Sequence, residues 1–188
     1  MNTSSTAWRV TLALLGIVFV ASVHSARAGN DSQALPGGAN PLQEAHGDWR
    51  VACSEQNGHN ACALSQQLLD RDSRQRILAI ELNAPAAGQV DGTIVLPFGL
   101  SLDKGVTLHV DQSAAGPALR FRTCLPAGCI VVVSFDATAI AALKTATTIT
   151  VKATGDNAQA LSFPISLRGF ASAIDRTAAL AGHVLPKQ

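Results

Sequence analysis

The residues of this 188-residue chain with the plainest chemical potential are its four cysteines, Cys53, Cys62, Cys124 and Cys129. A thiol can act as a nucleophile, ligate a metal or form half of a disulfide. Thiol oxidoreductases set two cysteines two residues apart at a helix N-terminus, where the thiolate is stabilised. Here Cys124-Leu-Pro-Ala-Gly-Cys129 has a turn sequence between two strand-like runs instead. Zinc binding needs cysteines two to four residues apart with histidine close by, and no cysteine pair here combines that gap with a nearby histidine. Four cysteines allow three disulfide connectivities, and spacing favours one of them. Pro126 and Gly128 bend the chain between Cys124 and Cys129, and Asn57-Gly58 is a strong turn signal between Cys53 and Cys62. The expected pairs are therefore Cys53–Cys62 and Cys124–Cys129, each pinning a local hairpin register.

Other reactive groups are scattered. His46, His59 and His109, with Asp48, Asp103 and Asp111, would have to converge from distant points to form a site. His109 alternates with Leu108 and Val110 and so points away from both, while His46 and His59 read as loop residues. Phosphate loops, His-Glu-x-x-His and Gly-x-Ser-x-Gly are missing. The reading is no catalytic residue, no cofactor and no metal. Asp70-Arg71-Asp72-Ser73-Arg74-Gln75-Arg76 is the densest charge run and reads as a solvated hairpin tip. Arg120 and Arg122 flank Phe121 at period two, so both arginines share one face, and Arg168 is a further candidate for a basic patch. Pro97 ends a strand's hydrogen bonding and can present Phe98 on a loop or bulge. Phe98, Arg120 and Arg122 are thus the candidate contact surface, whereas Trp49, opening a strand beside a cysteine, reads as core.

Nine short β-rich runs separated by turn residues must position these groups: 49–53, 62–69, 76–82, 93–97, 106–110, 118–124, 129–135, 147–153 and 161–167. That spacing predicts an all-β sandwich. Thr147 to Lys152 alternates strictly, while Ile130-Val131-Val132-Val133 is apolar on both faces and predicts a strand covered on both sides. Two short accessory helices are expected. Asp136 can cap the first, with Ile140, Ala141 and Leu143 as its stripe and Lys144 near its C-terminal end. Phe170, Ile174, Ala178 and Ala181 mark the second, which ends at Gly182 and would close one end of the sandwich.

The N-terminus reads as an address. Val10 to Val23 is an uncharged run of 14 residues between Arg9 and Ala26-Arg27-Ala28. A run shorter than about 18 residues is too short to span hydrocarbon comfortably, so residues 1–28 are expected to be a signal peptide cleaved between Ala28 and Gly29. No transmembrane span remains after cleavage. Residues 29–47, rich in Gly, Pro and Asn, read as a flexible leader, 48–182 as the sandwich domain and 183–188 as a tail. Removing Arg9 and Arg27 leaves 12 basic against 13 acidic residues. A neutral domain lacks the basic excess that nucleic acid or an anionic membrane surface would demand.

Several segments resemble the invasion-associated locus B family: Gly47-Asp48-Trp49-Arg50-Val51-Ala52-Cys53, Cys62-Ala63-Leu64-Ser65-Gln66 and Leu96-Pro97-Phe98-Gly99-Leu100 with Gly105-Val106. Phe121-Arg122-Thr123-Cys124, Gly128-Cys129 and Ser166-Leu167-Arg168-Gly169-Phe170 with Ala173 follow in order. The resemblance spans about Gly47 to Leu180 and implies an immunoglobulin-like β-sandwich in an exported bacterial protein, periplasmic or in the outer envelope, linked in some members to host-cell entry. It brings no catalytic residues. The function expected is binding to a protein or envelope partner. The competing classes are a structural envelope protein without a specific ligand and a periplasmic thiol oxidoreductase or hydrolase.

Overall fold

The computed structural model describes residues 42–56 and 59–182. The expected cleavage point, the Asn57-Gly58 turn and the C-terminal tail lie outside them. Among the described residues ten strands and two α-helices follow one another: β1 (Leu42–His46), β2 (Trp49–Gln56), β3 (His59–Leu69), β4 (Arg76–Asn83), β5 (Val90–Leu96), β6 (Val106–Val110), β7 (Phe121–Leu125), β8 (Gly128–Phe135), α1 (Ala137–Thr145), β9 (Thr148–Thr154), β10 (Ala160–Ser166) and α2 (Phe170–Ala181). All pairings are antiparallel. One sheet of seven strands runs β1-β2-β3-β4-β5-β8-β7, and a second of three runs β10-β9-β6. The protein is therefore the all-β, two-sheet architecture with two helices that the period-two runs predict.

Register explains why one face of the large sheet is apolar. Val51 pairs with Leu64 and Leu64 with Leu82, while Ile80 pairs with Ile94 and Ile94 with Val131. Period two thus puts the large buried side chains of these strands on one side, where they share a core with Ile149, Val151 and Ile165 of the small sheet. Three strands are too narrow to cover seven. Helix α2 makes up the difference by packing along β1, β2 and β3, so it covers a face of the large sheet and does not merely close an end. Its buried stripe is Phe170, Ala173, Ile174, Thr177 and Leu180. Ala178, expected in the stripe, is exposed, and Thr177 takes that place by donating its hydroxyl to the Ala173 carbonyl at 2.7 Å.

Three further expectations change. Leu42–His46, assigned to the flexible leader, is strand β1, paired along its length with β2. Its Leu42, Glu44 and His46 are half-buried and alternate with exposed Gln43 and Ala45. In α1 the Asp136 carboxylate accepts from the Ala139 N–H at 2.7 Å as a cap should, and Leu143 is buried, but Ala141 is exposed. Strand β8 is not covered on both faces, because Val132 is 43% exposed on the outer side. Past residue 117 the chain changes sheets: Leu119 bridges to Val106 of the small sheet, and two residues later Phe121 enters the large one.

Candidate functional site

The side chains that could make contacts or do chemistry fall into two groups, those committed to holding elements together and those left outward. The first group gathers where α2 meets β1 and β2. Trp49 donates Nε1–H to the Ser166 carbonyl at 2.9 Å, and Gln66 donates to the same oxygen at 2.9 Å. The Ser166 hydroxyl donates to Asp48 Oδ2 at 2.7 Å, and the Arg168 guanidinium engages both Asp48 oxygens. Arg168 is therefore paired to Asp48 and contributes no basic patch with Arg120 and Arg122. Along α2, Arg176 grips Glu44 with two bonds of 2.7 and 2.8 Å.

His46 is not a loop residue. It sits in β1 with Nε2 3.3 Å from Glu44 and Nδ1 3.3 Å from Ser172 Oγ. The order Ser172–His46–Glu44 has the composition of a hydrolytic relay, but its ends are engaged elsewhere. Ser172 donates to the Gly169 carbonyl at 3.0 Å, and the Glu44 charge is met by Arg176. A relay carboxylate has to hold its histidine and stabilise the charge that forms on it; here the carboxylate's main partner is a guanidinium, and the chain of bonds fastens α2 to β1.

These pairings have a pH signature. The hydrogen bond from Arg176 holds the Glu44 carboxyl at about 2, and the hydrogen bond from Arg168 holds Asp48 at about 2. A carboxyl whose folded-state value is depressed adds stability above its unfolded value, near 4, and loses it as pH falls toward the folded value. The protein is thus expected to lose stability between about pH 4.5 and 2. Denaturation midpoints recorded across that range should fall less steeply for Asp48→Asn and Glu44→Gln than for the natural chain, and equal slopes would show that these ion pairs do not govern acid stability.

The disulfides join Cys53 to Cys62 and Cys124 to Cys129, with Cα separations of 4.1 and 3.9 Å. Among the described residues no cysteine is free. The remaining histidines and acids stay apart. His109 Nε2 lies 3.2 Å from Thr107 Oγ1, Asp111 accepts from the Thr147 hydroxyl at 2.7 Å, His59 is exposed at the start of β3, and Asp103 sits in a one-turn 3-10 helix. Among the described residues no three such groups come together as a metal site. An open trough of about 500 Å³ lies over Ala52, Ala61 and Ala63, walled by Gln56, Glu81 and Asn83.

The outward group lies on the other side of the domain. Phe98 is 62% exposed, Leu125 49% and Leu102 47%. The chain places Phe98 two residues beyond the end of β5 and Leu125 at the end of β7. Leu96 pairs with Cys129, and Leu125 pairs with Gly128, so both apolar side chains occupy the same end of the large sheet on either side of β8. Val132 extends this surface along β8. Phe121 pairs with Val131 and packs against the core, and the arginines on either side of it, Arg120 and Arg122, are both exposed, as their alternation predicts. The bulge between Phe121 and Thr123 sets Arg122 out of the ladder. All four ion pairs of the described residues lie around β1, α1, α2 and the β1–β2 turn, so neither arginine has a carboxylate partner. Phe98 was visible in the sequence because Pro97 precedes it; Leu102 and Leu125 were not, since single leucines beside turns carry no period.

A family model described as Invasion associated locus B (IalB) protein matches residues 49–178. An Invasion protein B homolog of Brucella abortus (strain 2308) is 48% identical over 148 residues, covering 78% of this chain and 85% of that protein. Invasion protein B of Bartonella bacilliformis is 31% identical over 173 residues, covering 90% of this chain and 92% of that protein. Among solved structures, the crystal structure of invasion associated protein B from Bartonella henselae matches with a TM-score of 0.70 and 33% identity, over 74% of this chain and 96% of that one. The matched segment contains the Trp49–Ser166 bond, both disulfides and the outward apolar surface, and the chain belongs to the Invasion associated locus B family.

Proposed function

We propose that this protein is an exported binding module of the bacterial cell envelope that acts through a surface and not through a catalytic centre. The observation that carries the reading is the exposed set Phe98, Leu125 and Val132 with two exposed arginines that have no carboxylate partner among the described residues. Exposed apolar side chains that cluster mark contact sites, whereas isolated ones are ordinary. Export is supported by the signal-like residues 1–28 and by the two disulfides, which persist in oxidising compartments. The relatives are named invasion proteins, and association with a host cell is the extension of this reading that their names support.

A photo-crosslinking residue placed at Phe98 in intact cells tests the surface, with the same residue at exposed Lys152 on the other sheet as the reference. One reproducible adduct at Phe98 and none at Lys152 is the expected result. The same diffuse pattern from both positions would favour a structural envelope protein without a specific ligand. Intact mass of the recovered chain checks export at the same time: it should begin at Gly29 and take up alkylating label only after reduction, and retention of Met1 would overturn the compartment.

A further inference from the structure

We propose that β7 is a docking edge, and that it receives an extended segment of a partner protein in which acidic residues alternate with apolar ones. This rests on the reading of the outward surface as a binding surface and names the partner's chemistry. Strand β7 ends the order of the seven-stranded sheet, so one side of it has no neighbour among the described residues. Antiparallel ladders alternate close, non-hydrogen-bonded pairs with wider, bonded ones. Cys124 and Cys129, with Cα atoms 3.9 Å apart, are a close pair. The Cys124 N–H and C=O therefore turn away from β8 and toward the open side, where an added strand would meet them.

The other edges are closed or committed. Strand β10 carries Pro164, which cannot donate to a ladder. The open side of β6 is taken by residues 116–119, with Gly116 N–H on the Leu108 carbonyl at 2.9 Å and Leu119 bridged to Val106. On β1, Glu44 and His46 are bound to α2 residues and Gln43 accepts from Arg50. Among the described residues only β7 combines an open backbone with exposed apolar neighbours, Leu125 on the strand and Val132 on β8, and with cations that no described carboxylate meets. Arg120 and Arg122 also decide against a second copy of this chain. Two such edges side by side would oppose like charges, which destabilises cross-strand pairs, whereas glutamates or aspartates on the incoming strand would complement them.

The test uses the whole recovered chain and three labelled nine-residue peptides followed by fluorescence anisotropy. One alternates valine with glutamate, the second replaces glutamate by lysine, and the third is the first with alternate amides N-methylated along one edge. Saturable binding of the glutamate peptide is expected, weakened at least ten-fold by N-methylation, by the lysine exchange and by Arg122→Glu, and weakened progressively by salt. The N-methylated peptide needs no change in the protein, so a folding defect cannot imitate its result. Equal binding of the methylated and unmethylated peptides, no binding of the glutamate peptide, or self-association of the chain abolished by Arg122→Glu would each overturn strand addition. A partner that crosslinks at Phe98 and is indifferent to Arg122→Glu would leave the binding surface standing while removing β7 from it.

Discussion

Replacing Trp49 by alanine is expected to destabilise the protein by about 3–5 kcal/mol, the range found when a large buried aromatic is removed. Trp49 is 1% exposed, and its ring meets Phe170 edge-on with centroids 5.2 Å apart. Its N–H is spent on the Ser166 carbonyl. One residue therefore connects the start of β2 to the end of β10 and the first turn of α2, more than a hundred residues further along the chain. The truncation loses apolar contact and leaves a cavity where two sheets and a helix meet. Trp49→Phe is the milder change, because it keeps a smaller ring against Phe170 while losing the hydrogen bond and part of the indole's packing, so about 1–3 kcal/mol is expected. Urea unfolding with the disulfides intact, followed by far-ultraviolet circular dichroism, measures both. A loss below about 1 kcal/mol for Trp49→Ala would mean that the site collapses around the gap and that Trp49 does not anchor the core.

Trp49 also shows what the sequence could reveal. Its place in the core follows from a large aromatic opening an alternating strand, and the same alternation marks most strands of both sheets. The disulfides were legible because each pair brackets a turn, which makes their geometry local. Strand β1 was lost because Leu42, Glu44 and His46 give just three alternating positions after a Gly- and Pro-rich stretch, and its pairing is fixed by β2 and α2, not by its own composition. The outer exposure of Val132 was equally hidden. An apolar run on both faces says that both faces avoid charge, but the second sheet packs on the face that Val131 and Val133 share, and among the described residues no layer covers the face of Val132. The separation of Arg168 from Arg120 and Arg122 is hidden for the same kind of reason: its partner Asp48 is 120 residues away, and no local pattern encodes that pairing. The candidate surface was thus half visible, through Phe98 and the Arg120/Arg122 alternation, and half a product of topology.

Gly169→Ala is expected to be nearly as damaging as the loss of Trp49, for a different reason. Two turns meet back to back at the junction of β1, β2 and α2. Gly47 and Gly169 both have left-handed backbones, with φ of 58° and 87°, and a Cβ at Gly169 would stand 2.1 Å from the His46 carbonyl oxygen. A left-handed conformation alone costs a non-glycine residue about 1–2 kcal/mol. The contact adds more, because the obstacle is backbone and cannot rotate away. Relief requires the first turn of α2 to withdraw from β1, which stretches the Asp48–Arg168 pair and the Trp49–Ser166 bond together. A total of about 3 kcal/mol or more is expected, within the range of the most harmful single substitutions. Gly88→Ala supplies the comparison, since its φ is 80° and nothing lies within 4 Å of the added carbon, so only the conformational cost of about 1 kcal/mol should appear there. Asp48→Asn should then cost less in the Gly169→Ala background than in the natural chain, because the ion pair has already been displaced, and neighbouring sites that share a network are not additive. Equal losses for Gly169→Ala and Gly88→Ala, or full additivity with Asp48→Asn, would mean that the two turns have room to separate and that α2 is held by its apolar face alone.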